Sequence, residues 1–107
     1  IGNTGGILEA RKIAAMGEAY SLKVQPHICA SPLSTAIGMH FSASIPNFYF
    51  QEHFPYWDRI DGYRQVLKNP VEATVTNGTM PVSDAPGYGV ELDHAALSDC
   101  LFQEINL

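Results

Sequence analysis

Charged side chains are scarce in this sequence. They make up 16% of the 107 residues, against about 25% in an average domain. Lysine and arginine together number 6 and form no cluster. That excludes phosphate-backbone binding as the main activity, because such binding is built on grouped cations; no nucleic-acid partner is expected. Cysteine is nearly absent. Cys29 and Cys100 stand too far apart for a metal-ligand or redox pair motif. With no secretory signal, the expected setting is reducing and cytoplasmic. No apolar run approaches the roughly 20 residues of a membrane span, so no membrane partner is expected either. Gly5-Gly6 lacks the spaced glycines and the following lysine of a phosphate loop. There is no internal repeat and no low-complexity segment.

What is present is apolar. Hydrophobic residues are 46% of the chain, the composition of a globular protein. The length suits one small domain and falls far below the roughly 250 residues of an eight-fold βα barrel. A small protein has much surface for its volume. Scarce charge on a short chain therefore implies that much of its surface lies against something else. The net charge of -5 sits in the second half: residues 1–51 carry two acids and three bases, residues 58–107 eight acids and three bases.

Hydrophobic spacing predicts a helix over 7–20, with Ile7, Ala10 and Ala14 on one face and Thr4 or Asn3 as its cap. Lys23 to Pro26 reads as a short strand ending at His27. Ser31-Pro32 reads as a cap with proline at the first helical position, opening a second helix to about Ser44. Asn47 to Gln51 reads as a second strand ending at Glu52. Alternating elements of this length argue for parallel strands joined by crossover helices. Phe54, Tyr56, Trp57 and Tyr63 crowd the loop after Glu52 and mark a local core or a covered cavity. A short helix is expected over 59–67. Val71 to Thr76 alternates with period two, Asn77-Gly78 is a hairpin signal, and Thr79 to Val82 would be the return strand. Asp93 would cap a short helix over 94–100, and 101–107 is a last apolar stretch of strand character.

In parallel α/β folds the functional groups gather at the carboxyl ends of strands. His27 and Glu52 occupy two such ends, 25 residues apart, which is one βα repeat. A histidine there can move protons near neutral pH. A glutamate there can orient a substrate. Cys29 and Ser31, in the loop after His27, are expected to line the same pocket, with His53 at its rim. Tyr56 and Trp57 would cover the site or pack against other structure. His40 reads as structural, and His94 as a surface residue.

Asn3-Thr4-Gly5-Gly6-Ile7, the helix Glu9-Ala10-Arg11-Lys12-Ile13-Ala14, the Pro26-His27 strand end, Ile45-Pro46-Asn47-Phe48 and Gln51-Glu52 resemble one family. It is the mandelate racemase subgroup of the enolase superfamily, which includes acid-sugar dehydratases and sugar-acid cycloisomerases. Asn77-Gly78, Pro81 and Pro86-Gly87-Tyr88-Gly89-Val90 look like its carboxy-terminal end. The resemblance implies an α/β fold: the C-terminal part of a (β/α)8 (TIM) barrel, plus a C-terminal segment returning to a capping domain. Residues 1–67 would be the last βα units, from the end of strand six through strand eight and its helix. Residues 68–107 would be the returning segment, its hairpin packing toward the capping domain. The surfaces of 7–20, 33–44 and 71–107 would then be covered by the remainder of the same enzyme, and the 107 residues alone would be inactive.

The same resemblance implies His27 and Glu52 as catalytic residues, with Mg²⁺ as cofactor on ligands upstream of residue 1. An aspartate orienting His27 would also lie upstream. Mg²⁺ would hold the carboxylate of a small-molecule sugar acid while a base removes its α-proton, and the enzyme would be a homo-oligomer. His27 would be that base, or the acid that returns a proton, and Glu52 would lie across the cavity and hydrogen-bond the substrate. A dehydratase is the leading expectation. A cycloisomerase acting on an anhydro-sugar acid or sugar lactone is the alternative, and a racemase or epimerase a third. A non-catalytic α/β fragment or binding module is the reading from another class; it requires His27 and Glu52 to point apart, or their strands not to be neighbours.

Overall fold

The fold is that of a computed structural model, which describes residues 1–98, 100, 103 and 104. Two helices carry it: α1 over Ile7–Ala19 and α2 over Pro32–Ala43. Helix α1 starts without the expected side-chain cap. The chain enters through a short 3-10 turn, Gly2–Thr4, and the Thr4 hydroxyl turns back to donate to the Ile1 carbonyl at 2.8 Å. Gly6 then takes the N-cap position at φ 92°, a left-handed backbone that glycine tolerates and other residues rarely do. Of the apolar positions in α1, Ala10 and Ala14 are buried, whereas Leu8, Ile13 and Met16 are open.

Helix α2 forms as its sequence dictates. The Ser31 hydroxyl accepts from the Ser34 amide at 3.2 Å, and Pro32 occupies the first turn. It is buried on most sides, through Pro32, Thr35, Ala36, Gly38, Met39, Phe41 and Ser42. Ala10 and Ala14 of α1 meet Phe41 and Ile45 in the central cluster, with Ile1, Val24 and Phe48 packed against it.

Between the helices the expected strands reduce to a parallel bridge, Val24 with Phe48. Val24 N donates to Asn47 O at 2.9 Å, and Tyr49 N donates to Val24 O at 3.0 Å. Two strands with no flanking partners do not propagate into a sheet, which explains why the pairing is short. Asn47 locks the junction. Its buried side-chain amide donates to Ala14 O and to Leu22 O, both at 3.0 Å, fastening α1 and the chain after it to the second strand position.

The second half departs further from expectation. Over 59–67 only Arg64–Val66 is helical, as a single 3-10 turn. Residues Val71–Thr74 form another 3-10 turn instead of a strand. Period-two alternation there would expose Glu72 and bury Val75. The fold does the opposite, leaving Glu72 2% and Val75 38% exposed. Glu72 Oε1 accepts from Thr35 Oγ1 at 2.6 Å and Tyr63 Oη at 3.0 Å, and the turn exists to deliver it. The Asn77-Gly78 reversal is kept, with Thr76 and Thr79 exchanging backbone bonds at 2.9 and 3.0 Å. Leu67 and Leu92 form an antiparallel bridge that brings the later chain back to the end of the first half. Asp93 caps a short helix α3, His94–Leu97, with His94 exposed at its start. The strand expected over 101–107 falls, but for Gln103 and Glu104, outside the described residues.

Large apolar side chains stay open elsewhere. Tyr20 is 81% exposed, and Leu22, Tyr49, Phe50 and Tyr56 are exposed with it. Such surface on a chain this short is the pattern of a body that packs against more protein.

Two stability predictions follow for the intact protein. Asn47→Ala removes a buried bond to the Ala14 carbonyl and a part-buried one to the Leu22 carbonyl and is expected to cost about 1–3 kcal/mol, read as a lower denaturant midpoint; an unchanged midpoint would refute the locking role. Burial chiefly, with the charge of Glu72 adding to it, pushes the Tyr63 phenol up from 10.0 to about 12. A raised phenol contributes stability that is complete below the unfolded value and is lost as pH rises through the folded one. The Tm should therefore fall between pH 10.0 and about 12. Tyr63→Phe should lose less across that window, and parallel curves for the two proteins would contradict the assignment.

Candidate active site

The parallel bridge sets the geometry. His27 follows Val24 by three residues and Glu52 follows Phe48 by four, so both leave their strand positions at the same end. There the two side chains meet. His27 Nδ1 lies 2.6 Å from Glu52 Oε2, and the same oxygen accepts from the Ile28 backbone amide at 2.7 Å. A carboxylate only accepts, so Nδ1 carries a hydrogen and Nε2 faces away from Glu52. Glu52 thus orients the imidazole, the part that the resemblance gives to an aspartate upstream of residue 1.

Ile28 fixes the turn between them. Its side chain is buried against α2, and a Cβ on Gly38 would run into Ile28 Cδ1. The bare glycine lets the segment after His27 sit close to the helix. His27 itself remains open, with 77% of its side chain exposed against 34% for Glu52.

A cavity of about 390 Å³ opens beside this pair, and His27, Cys29, Ser34, Asn3 and Tyr88 are among its lining residues. It gathers the loop before α1, the loop after His27 and the later Pro86-Gly87-Tyr88-Gly89 turn. Cys29 takes the expected place, its Sγ 3.4 Å from His27 Nε2. Ser31 does not line this cavity. Its hydroxyl caps α2, and Ser34, one turn further along the same face, lines it instead. His53 does not line it either. Successive residues of an extended chain point to opposite sides, so the residue after Glu52 turns away. His53 lines a second cavity of about 460 Å³ among Met39, Phe48, Phe50, Val75 and Met80, where its Nδ1 is buried without a hydrogen-bond partner.

Tyr88, like Ser34, is a lining residue that sequence reasoning missed. Its signal was the turn itself, a tyrosine between two glycines that both adopt positive φ. His40 of α2 holds that turn, its Nε2 3.2 Å from the Tyr88 carbonyl and its ring edge-on to the phenol at 5.6 Å. Trp57 and Tyr56 do not line the His27 cavity. Tyr56 stacks edge-on with Phe54 at 6.2 Å and sits under the Arg59 guanidinium at 5.9 Å.

Among the described residues no group of three or more His, Cys, Asp or Glu is placed to hold a metal ion. Magnesium asks for several oxygen ligands in near-octahedral array. Here the site offers one carboxylate, with Oε2 already taken by two donors. The donor set on these residues does not fit Mg²⁺.

The comparisons with known proteins agree with one another. The enolase C-terminal domain-like family matches residues 1–96. A D-mannonate dehydratase of Sphingomonas sp. (strain SKA58) is 33% identical over 93 residues, which cover 85% of this chain and 22% of that protein. A D-xylonate dehydratase of Haloferax volcanii is 29% identical over 106 residues, covering 94% of this chain and 25% of that one. Among solved structures, one from Mesorhizobium loti has a TM-score of 0.84 at 36% identity and covers 92% of this chain and 26% of its own. An enolase of the mandelate racemase subgroup from Agrobacterium tumefaciens has a TM-score of 0.72 at 36% identity, covering 88% and 24%. The chain thus spans about a quarter of the length of the relatives it matches. By sequence family, by curated relatives and by solved structures, it belongs to the enolase C-terminal domain-like family, in the mandelate racemase subgroup of the enolase superfamily.

Proposed function

We propose that this chain is the proton-handling end of a sugar-acid dehydratase, with His27 as the group that moves the proton and Glu52 as the residue that orients it. The observation that carries this reading is the His27–Glu52 pair at 2.6 Å beside a cavity of about 390 Å³. An imidazole with one nitrogen held by a carboxylate and the other facing a cavity, beside the Cys29 thiol, is placed for general acid–base work. Proton transfer at Nε2 leaves an imidazolium, which the Glu52 carboxylate stabilises. His27 serves either to take the α-proton of the substrate or to deliver a proton to the departing β-hydroxyl. The non-catalytic reading expects the two side chains to point apart, or their strands not to be neighbours; the contact at 2.6 Å and the Val24–Phe48 bridge favour the catalytic one.

The curated relatives named above are dehydratases of D-mannonate and D-xylonate, which supports a small sugar acid as the substrate class. Sites of this superfamily pair a histidine or lysine base with Mg²⁺. In the present reading its ligands lie upstream of residue 1, and no step assigned to these residues passes through the metal. Residues 1–67 are read as the last βα units of a (β/α)8 barrel and 68–107 as the segment returning toward a capping domain. The bridge between Leu67 and Leu92 supports that return. The open apolar residues Leu8, Ile13 and Met16 of α1 and Tyr20 just after it support packing against the remainder of the polypeptide; a cytoplasmic homo-oligomer is part of the same reading. Among the described residues no helix is long and apolar enough to cross a membrane.

The decisive test uses the intact protein with a panel of sugar acids in deuterated water. Wild type should wash deuterium into the α-carbon and release a 2-keto-3-deoxy acid, lighter than the substrate by one water. His27→Asn should slow whichever proton transfer it serves by about 10²–10⁴-fold; unchanged exchange and turnover would sink its role. A product that keeps the substrate's mass would instead identify a cycloisomerase. Glu52→Gln retains a hydrogen-bond acceptor but not the charge. It should lower kcat by about tenfold or more with KM little changed, and a change confined to KM would make Glu52 a substrate-binding residue instead.

A further inference from the structure

The outward nitrogen of His27 is not empty. Cys29 Sγ stands 3.4 Å from Nε2, while Nδ1 on the other side of the ring is held by Glu52 at 2.6 Å. Read outward from the protein, the order is carboxylate, imidazole, thiol. That is the arrangement in which a base, itself oriented by a third group, activates a nucleophile. The pair does not read as a metal site, since among the described residues no third ligand joins it. Both residues line the same cavity, and Cys29 is exposed. The thiol is therefore within reach of a small molecule as well as of its base.

We propose that Cys29 is a site of covalent modification by small peroxides, with His27 as its base and Glu52 as the residue that orients the base. The thiol proton passes to His27 Nε2. The sulfur attacks one peroxide oxygen, an S–O bond forms and the O–O bond breaks. The leaving hydroxide takes the proton from His27 and departs as water. Sulfur is oxidised to a sulfenic acid and the peroxide is reduced, so atoms and electrons balance and no further reductant is needed. The new hydroxyl on sulfur occupies the space in front of Nε2. That this hydroxyl would obstruct turnover rests on the proposed dehydratase role of His27; the reactivity of the thiol rests only on the Cys29–His27–Glu52 geometry.

Cys100 supplies the internal reference. It is also exposed, and among the described residues no histidine or carboxylate partners its thiol. The intact protein is treated with hydrogen peroxide in the presence of dimedone, which traps sulfenic acids, and the two cysteine peptides are followed by mass spectrometry over time. Cys29 should be labelled at least about tenfold faster than Cys100, because the thiolate is the reacting form. His27→Asn should bring the Cys29 rate down to that of Cys100 and leave Cys100 unchanged. Glu52→Gln, with the base retained but its orienting charge removed, should give an intermediate Cys29 rate. Equal labelling of the two cysteines in wild type overturns the proposal. So does an unaltered Cys29 rate in His27→Asn or, should that variant misfold and change the Cys100 rate, in Glu52→Gln. Labelling at sulfur is independent of turnover, so its failure and the failure of the dehydratase reading are separate results.

Discussion

Register between two short stretches of chain governs this structure. Val24 and Phe48 face each other in a parallel bridge held by two backbone hydrogen bonds. Side chains alternate sides along an extended chain, so a slip of one residue would turn each of them over. His27 and Glu52 leave the bridge at the same end, three residues past Val24 and four past Phe48, and their side chains meet there. The bridge is short, and Asn47 compensates for its shortness. Its amide binds two carbonyls, one in α1 and one in the segment after it, so that helix, strand and strand share one fastening. The helices then close over this point through Ala10, Ala14, Phe41 and Ile45.

Much of the site was legible because it follows local rules. Ser31-Pro32 announces a helix start, the apolar spacing of 7–20 announces a helix, and the residues that end the two apolar stretches are the two that meet. The misses have definite physical causes. Val71 to Thr76 alternates like a strand, yet the group that goes inside is a carboxylate, because Thr35 and Tyr63 provide hydroxyls to receive it. Pattern reading weighs hydrophobicity and has no way to see partners distant in sequence. His53 was grouped with Glu52 by adjacency, although adjacency in an extended chain means opposite directions. Thr4 looked like a helix cap, but two glycines at positive φ carry the chain into α1 without one. Tyr88 comes to the cavity from more than fifty residues away, by way of His40.

Low charge and open apolar surface belong together. The ion pairs on the described residues, such as Lys12 with Glu9 and Lys68 with Glu91, are exposed and of the kind that contributes little. Stability comes instead from a small cluster and a few buried polar bonds. The apolar groups left outside α1 match relatives that are about four times longer than this chain.

One contact at the site belongs to the backbone alone. Glu52 Oε2 is held by the amide of residue 28, and every amino acid but proline brings that amide. Apart from His27, the acid's anchor is thus written in no particular side chain. Natural variants could exchange isoleucine for other residues that fit beside Gly38 without disturbing how the carboxylate is aimed. The constraint on this position is one of backbone chemistry and size, and it would leave only a faint trace in any catalogue of preserved residues.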